Sequence, residues 1–264
     1  MRAVVTEAEV TLADVLAMRL AIDEPLGDGA ALLLRHRASG AEREVVLGTS
    51  QAEARDATLA VSLAPLDLEP GRWDAYLVQD GRRTRLKSVD PGFSLDHLDA
   101  YALARRSLAY RAYRTLNGYL ALRITQARPL AEVRAVWLRE GRFEVTGLLA
   151  YTGLDDDDTR HGARLALQRR EPRAELSATA TVHGVRFHAA LSLCDVIDAA
   201  QESEGVWEPT LEVDGVDDPL PLGARLDDVD GKRRRVHYPE ASIDGVQVRP
   251  AFSADDELRL EVGG

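Results

Sequence analysis

The sequence predicts an all-β protein built of two tandem immunoglobulin-like antiparallel β-sandwiches, about residues 1–126 and 127–264, with one short helix in the first. Three observations predict it. A tryptophan-centred stretch is written twice, as Gly71-Arg72-Trp73-Asp74 running to Asp80-Gly81, and as Gly205-Val206-Trp207-Glu208 running to Asp214-Gly215. Apolar residues recur with a period of two, which lines alternate side chains along one face of a strand. The runs are short and are bounded by Gly, Pro, Asp or Ser, the punctuation of turns. About seven such strands in a copy of roughly 130 residues match a two-sheet sandwich. The Cys-Trp-Cys pattern of antibody domains is absent.

Taken in order, the two copies carry matching strands. Residues 16–22 correspond to 143–149, and each is followed by an acidic loop containing glycine. Next come strands that end in basic residues, Arg35-His36-Arg37 and Arg169-Arg170. Residues 59–63 correspond to 187–193, and the Gly-x-Trp stretches follow. The copies close with residues 118–124 and 257–262. The offsets hold nearly constant: 132 from Leu33 to Leu165, 134 from Trp73 to Trp207, and 138 from Leu120 to Leu258. A period of this size marks an internal duplication. Trp73 and Trp207 are expected between the sheets, where a large aromatic side chain buries much apolar area.

The copies part at one place. Residues 94–105 of the first read as a helix, with Ser94 as N-cap, acids in the first turn, and Leu95, Leu98 and Ala102 on one face. Residues 227–235 of the second are polar and read as a loop. Pro129 interrupts strand pairing near the join at residues 125–130.

Composition narrows the function classes. The formal net charge of −11 repels nucleic acid and anionic membrane, so neither is expected as a partner. Apolar runs such as residues 30–34 fall far short of the ~20 residues that cross a bilayer. The first residues turn acidic before a signal-peptide core could form, so a cytoplasmic location is expected. A single cysteine, Cys194, excludes an internal disulfide and is expected to be a small buried hydrophobe.

Candidate chemistry is sparse. The run Asp155, Asp156, Asp157 and Asp158 is the candidate metal site, because calcium takes carboxylate oxygens. It lacks the alternate spacing of a calcium loop, and the first copy has an acidic, glycine-rich loop at the corresponding residues 23–29, so a solvated tip is the expectation. Lys232-Arg233-Arg234-Arg235, and Arg105, Arg106 and Arg111 in the first copy, could meet phosphate through guanidinium forks. His183 and His188 have no acid spaced with them as metal ligands. No nucleophile elbow, phosphate-binding glycine loop or dinucleotide fingerprint is present, so no catalytic residue and no cofactor is assigned.

Tyr113-Arg114-Thr115-Leu116-Asn117-Gly118-Tyr119-Leu120-Ala121-Leu122-Arg123-Ile124 resembles a pattern, Tyr-x-Thr-x-x-Gly-Asn-Leu-Ser-Leu-Arg-Val, that closes β-sandwich modules of actinobacterial glycosyltransferases and teichoic-acid-type (polyol-phosphate) transferases. Residues 35–47 and 71–77 and the tandem arrangement are similar to the same modules. Tyr119 stands where that pattern has Asn, and the second copy keeps only residues 257–262 of it. The resemblance implies a non-catalytic accessory module that partners a transferase in assembling cell-surface glycopolymer. A carbohydrate-binding protein is the second reading and predicts aromatic side chains exposed on one face. A free-standing transferase or hydrolase is the third. Recognition is expected at the loops 23–29 and 155–162, at sheet edges, or in a groove between domains.

Overall fold

The alternating pattern folds into twenty strands, three α-helices and one 3-10 turn in the computed structural model, which describes residues 2–47, 56–90, 98–171, 173–200, 204–227, 229 and 231–263. The protein is mostly β, and among the described residues every strand pairs within its own copy of the repeat. Contacts divide the chain into two compact units. Unit 1 comprises Met1–His97, Arg106–Ala127 and Asp227–Asp230, and unit 2 comprises Leu98–Arg105, Arg128–Leu226 and Gly231–Gly264.

Unit 1 holds β1 (Ala3–Val10), β2 (Val15–Ile22), β3 (Ala31–His36), β4 (Glu42–Val46), β5 (Asp56–Ser62), β6 (Gly71–Gln79), β7 (Arg82–Arg85), β8 (Lys87–Ser88), β9 (Leu108–Arg114) and β10 (Leu120–Gln126). One sheet runs β5-β2-β1-β8 and the other β4-β3-β6-β10-β9, with β7 added on β6. The period-two reading is literal in β5, where Ala57, Leu59 and Val61 are buried and their neighbours exposed. β7 and β8 are two parts of one path that changes sheets at fully buried Leu86, whose N–H still donates to the Ala75 carbonyl (3.0 Å).

Unit 2 holds β11 (Leu130–Arg139), β12 (Arg142–Ala150), β13 (Arg160–Arg169), β14 (Ala174–His183), β15 (Arg186–Ser192), β16 (Gly205–Val213), β17 (Leu220–Gly223), β18 (Ala241–Ile243), β19 (Val246–Phe252) and β20 (Leu258–Gly263). The unit 1 order β5-β2-β1-β8 recurs as β15-β12-β11-β17, and β4-β3-β6-β10-β9 recurs as β14-β13-β16-β20-β19. Two further pairings, β14 with β15 and β16 with β17, join these groups, and β13 pairs β16. Seven strands therefore close into a barrel. Pro209 has no N–H to give a ladder. It falls where β16 passes from its β20 partners (205–207) to its β17 partners (210–211).

The Gly-x-Trp repeat is a packing unit. Trp73 and Trp207 are both fully buried. In register beside each stands the basic residue that ends the neighbouring strand: His36 opposite Trp73, and Arg169 opposite Trp207. The His36 ring lies 5.0 Å from the Trp73 ring, and the Arg169 guanidinium 5.1 Å from the Trp207 ring. The glycine makes the space. A Cβ at Gly71 would sit 2.1 Å from His36 Nε2, and one at Gly205 would sit 2.8 Å from Arg169 Cδ. The acid after each Trp lies on the opposite face of its strand and gathers arginines: Asp74 takes Arg72 from its own strand with Arg37 and Arg85 from its neighbours, and Glu208 takes Arg170 and Arg259.

Three expectations are corrected. The short helix is present as α1 (Leu98–Leu103), but it packs in unit 2 rather than on the first sandwich. Ala102 is buried in the unit 2 core, its carbonyl accepts the Tyr151 N–H (2.8 Å), and Asp99 pairs with Arg134 and Arg186. The proposed cap Ser94 and Leu95 lie outside the described residues. The polar stretch 227–235 includes a one-turn helix, α3 (Lys232–Arg235), whose Lys232 is buried. A helix not foreseen, α2 (Leu193–Ala200), follows β15 and buries Leu193, Val196 and Ala200. Arg169 donates to the last carbonyls of that helix, Ala199 and Ala200, at the end where a helix leaves its carbonyls without intrahelical bonds.

Candidate functional site

A β-bulge creates the most site-like surface of unit 2. Strict alternation from Ala131 and Val133 would carry Ala135 and Trp137 inward. The register shifts between Val133 and Ala135, so Val136 is buried instead and Trp137 turns outward, 39% exposed. Trp137 faces Glu144 on β12, and Glu144 faces Ala190 on β15. The next row reads Ala135, Thr146, His188 and Thr181 across β11, β12, β15 and β14. Small side chains thus floor a flat strip with an indole at one end and polar groups beside it.

Charge is fixed there by Arg139. Its Nε donates to Glu144 Oε2 at 2.8 Å, and its guanidinium carbon stands 5.1 Å from the Trp137 ring centre. The Arg139 hydrogen bond holds the Glu144 carboxyl below the usual carboxylate range, against the opposing effect of burial, with smaller help from the nearby charges of Arg139, His188 and Arg142. Glu144 is therefore an anionic acceptor at neutral pH. The strip offers an aromatic face, a carboxylate, an imidazole and hydroxyls, which suits a ligand with an apolar ring face and a hydroxylated rim.

A second concavity of unit 2, about 510 Å³, lies between β13 and β16 and is lined by Gly162, Arg164, Glu212, Asp214, Asp217 and Asp218 among others. Arg164 grips Glu212 with two nitrogens (3.1 and 3.0 Å), and the Asp214 carboxylate lies 2.3 Å from where a Cβ on Gly162 would be. The acids are in excess, but their charges are dispersed along the rim.

The residues singled out in the sequence are mostly scattered. Asp155, Asp156, Asp157 and Asp158 form an exposed tip. Asp156 pairs with Arg186, and Asp157 accepts the Thr159 N–H and hydroxyl (both 2.9 Å), which lowers its pKa. Among the described residues no three His, Cys, Asp or Glu side chains converge as a metal site. Arg106 pairs with Asp14 (2.7 Å) and Arg111 with Asp227 (3.8 Å). His183 ends β14, and His188 lies on the Trp137 strip. Cys194 is exposed rather than buried, because it occupies the outer side of the first turn of α2. Trp137 itself was not foreseen. Its signal was the pair of buried valines three apart, Val133 and Val136, which breaks the period of two.

No protein-family model matches the chain, and no curated protein matches it. Among solved structures the chain is similar to S. aureus TarS, at 15% identity and a TM-score of 0.38 over 71% of this chain and 34% of that one. It is similar to a fragment of the same protein, TarS 217-571, at 13% identity and a TM-score of 0.37 over 77% of this chain and 59% of that one. A pullulanase from Anoxybacillus sp. LM18-11 complexed with maltotriose matches at 8% identity and a TM-score of 0.28, over 92% of this chain and 30% of that one. The chain thus spans only 34% of TarS.

Proposed function

We propose that the chain is a non-catalytic carbohydrate-binding module, built as a tandem repeat of one immunoglobulin-like strand order whose second copy is closed into a barrel, that serves a glycosyl or polyol-phosphate transferase by holding its polymer. The observation that carries the reading is Trp137, an indole exposed on a sheet face beside Glu144, His188 and Thr181. A sugar ring has an apolar C–H face that stacks on an aromatic surface, and hydroxyls that carboxylate and imidazole can bind. The transferase partner is the class implied by the resemblance of residues 113–124. The other two tryptophans are fully buried, so a ligand-induced fluorescence change reports on Trp137.

The test is retention on immobilised neutral glucans and cell-wall polysaccharides, with Trp137→Ala as the variant. Wild-type protein should be retained and Trp137→Ala released, at an unchanged melting temperature. Equal retention of both, or no retention of wild type on any polysaccharide, overturns the reading.

A further inference from the structure

The strip around Trp137 carries one charge that no neighbour answers. In the β11–β12 hairpin Arg139 stands opposite Arg142, and Trp137 stands opposite Glu144. On its other side Arg142 faces Ser192 of β15. Phe143 is fully buried, so the residues before and after it, Arg142 and Glu144, project to the outer side where Trp137 lies.

The two guanidinium groups have different fates. Arg139 spends Nε and Nη2 on Glu144 Oε2, which neutralises that carboxylate and leaves Oε1 as an acceptor. Arg142 is exposed, and among the described residues no acid pairs with it. Glu144, held ionised first by the Arg139 hydrogen bond, also feels the charges of His188 and Arg142, so both stand close to it. The charge of Glu140, in the hairpin turn, acts on Arg139. Asp195, in the first turn of α2, meets Ser192 through its backbone N–H. Neither acid pairs with Arg142.

Position matters as much as charge. Arg142 is the diagonal cross-strand neighbour of Trp137, a separation of about 7–8 Å that long side chains span. A pyranose stacked on the exposed indole therefore has the Arg142 guanidinium at its edge, level with a ring substituent. Unit 1 shows that this arrangement is no by-product of the fold. The matching register there sets Glu9 opposite Ala17 and Val15 opposite Ser62. The indole and the free guanidinium occur together in one copy and are both missing from the other.

We infer that the Trp137 strip selects an acidic sugar, a uronate-type pyranose whose carboxylate is taken by Arg142 while its ring lies on Trp137. A guanidinium fork matches two carboxylate oxygens, a contact stronger than one between neutral groups. Glu144 Oε1 and His188 are then left for the ring hydroxyls. The inference rests on the sugar-binding reading above and adds the sign of the charge that the ligand carries.

The experiment uses the full chain and two matched pairs of probes, followed by calorimetry and tryptophan fluorescence at low ionic strength. One pair is a cello-oligosaccharide and the same chain oxidised at its primary hydroxyls to a glucuronate oligomer. The other is an oligogalacturonate and its methyl ester. The acid should bind about tenfold more tightly than its neutral counterpart, the size of one charge-assisted contact. Added salt should shrink the preference. Arg142→Gln should abolish it at an unchanged melting temperature, and Arg142→Lys, which keeps the charge without the fork, should retain part of it. Trp137→Ala should lose both members of a pair. Equal binding of acidic and neutral members, or a preference that survives in Arg142→Gln, would overturn the inference and leave the sugar reading standing. Binding of no member of either pair would overturn both.

Discussion

Strands β4 and β14 hold the same place in the two copies, yet one has five residues and the other ten. The longer strand reaches a tight turn at Gly184 and pairs onward with β15, which closes unit 2 into a barrel. The shorter one pairs, among the described residues, only with β3, and its last residue Val46 is 67% exposed. Among the described residues, the same strand order thus forms a closed ring in unit 2 and two sheets in unit 1. The lesson is that a duplicated pattern fixes which strands neighbour each other, while the pairings added at strand ends differ between the copies.

The packing unit common to both copies gives the largest expected effect. Trp73→Ala and Trp207→Ala should each cost about 3–5 kcal/mol, the range for deleting a large buried aromatic side chain. Denaturant unfolding measures both, and the equivalence fails if either variant melts like wild type. A difference between the copies comes next. Gly71 has a φ of 139°, and a Cβ there would lie 2.1 Å from His36 Nε2, so Gly71→Ala should cost about 2–3 kcal/mol from strain and overpacking. Gly205→Ala meets only the flexible Arg169 stem and should cost about 1 kcal/mol. Equal costs would mean that the two glycines do the same job.

A smaller effect belongs to unit 2 alone. Trp137 faces Glu144, whereas the matching β1–β2 row pairs Glu9 with Ala17. Glu144 has a depressed folded pKa, so its contribution is present above the unfolded value of about 4.3 and is lost as pH falls below it. Glu144→Gln should therefore lower the melting temperature at pH 7 and flatten its decline in acid. A parallel decline in both proteins would show that the Arg139 pair contributes nothing. The smallest effect is at Cys194, which should react with a thiol reagent in the native protein without a change in melting temperature.

Much of the strand content was legible because burial on one face imposes period two, and the duplication was legible because matching segments kept their spacing. The burial of both tryptophans followed from that. Other features depend on facts no single segment carries. The inserted residue in β11 reverses the facing of Trp137, and only the pairing with β12 reveals it. Ala135, Thr146, His188 and Thr181 are distant in sequence and become a row only through register across four strands. Helix α1 has an apolar side that any core could take, and its place in unit 2 is settled by Ala102 and Asp99 contacts. The segment 187–193 read as strand to its end because Leu191 and Leu193 alternate with Ser192, yet the chain turns into α2 at Leu193.

The bulge of β11 has a counterpart in β1, where the register shifts between Val5 and Glu7. Two hairpins with an extra residue at the same step share one pairing template, so the register of β1 on β2 is the register β12 offers to β11. Tandem repeats are prone to cross-assembly while they fold. Discrimination between right and wrong partners then falls to whatever the copies do not share, among them β14's extra length and the exchange of His36 for Arg169. Divergence between the copies is, in this sense, a proofreading device, and making the halves more alike would raise the yield of mispaired chains.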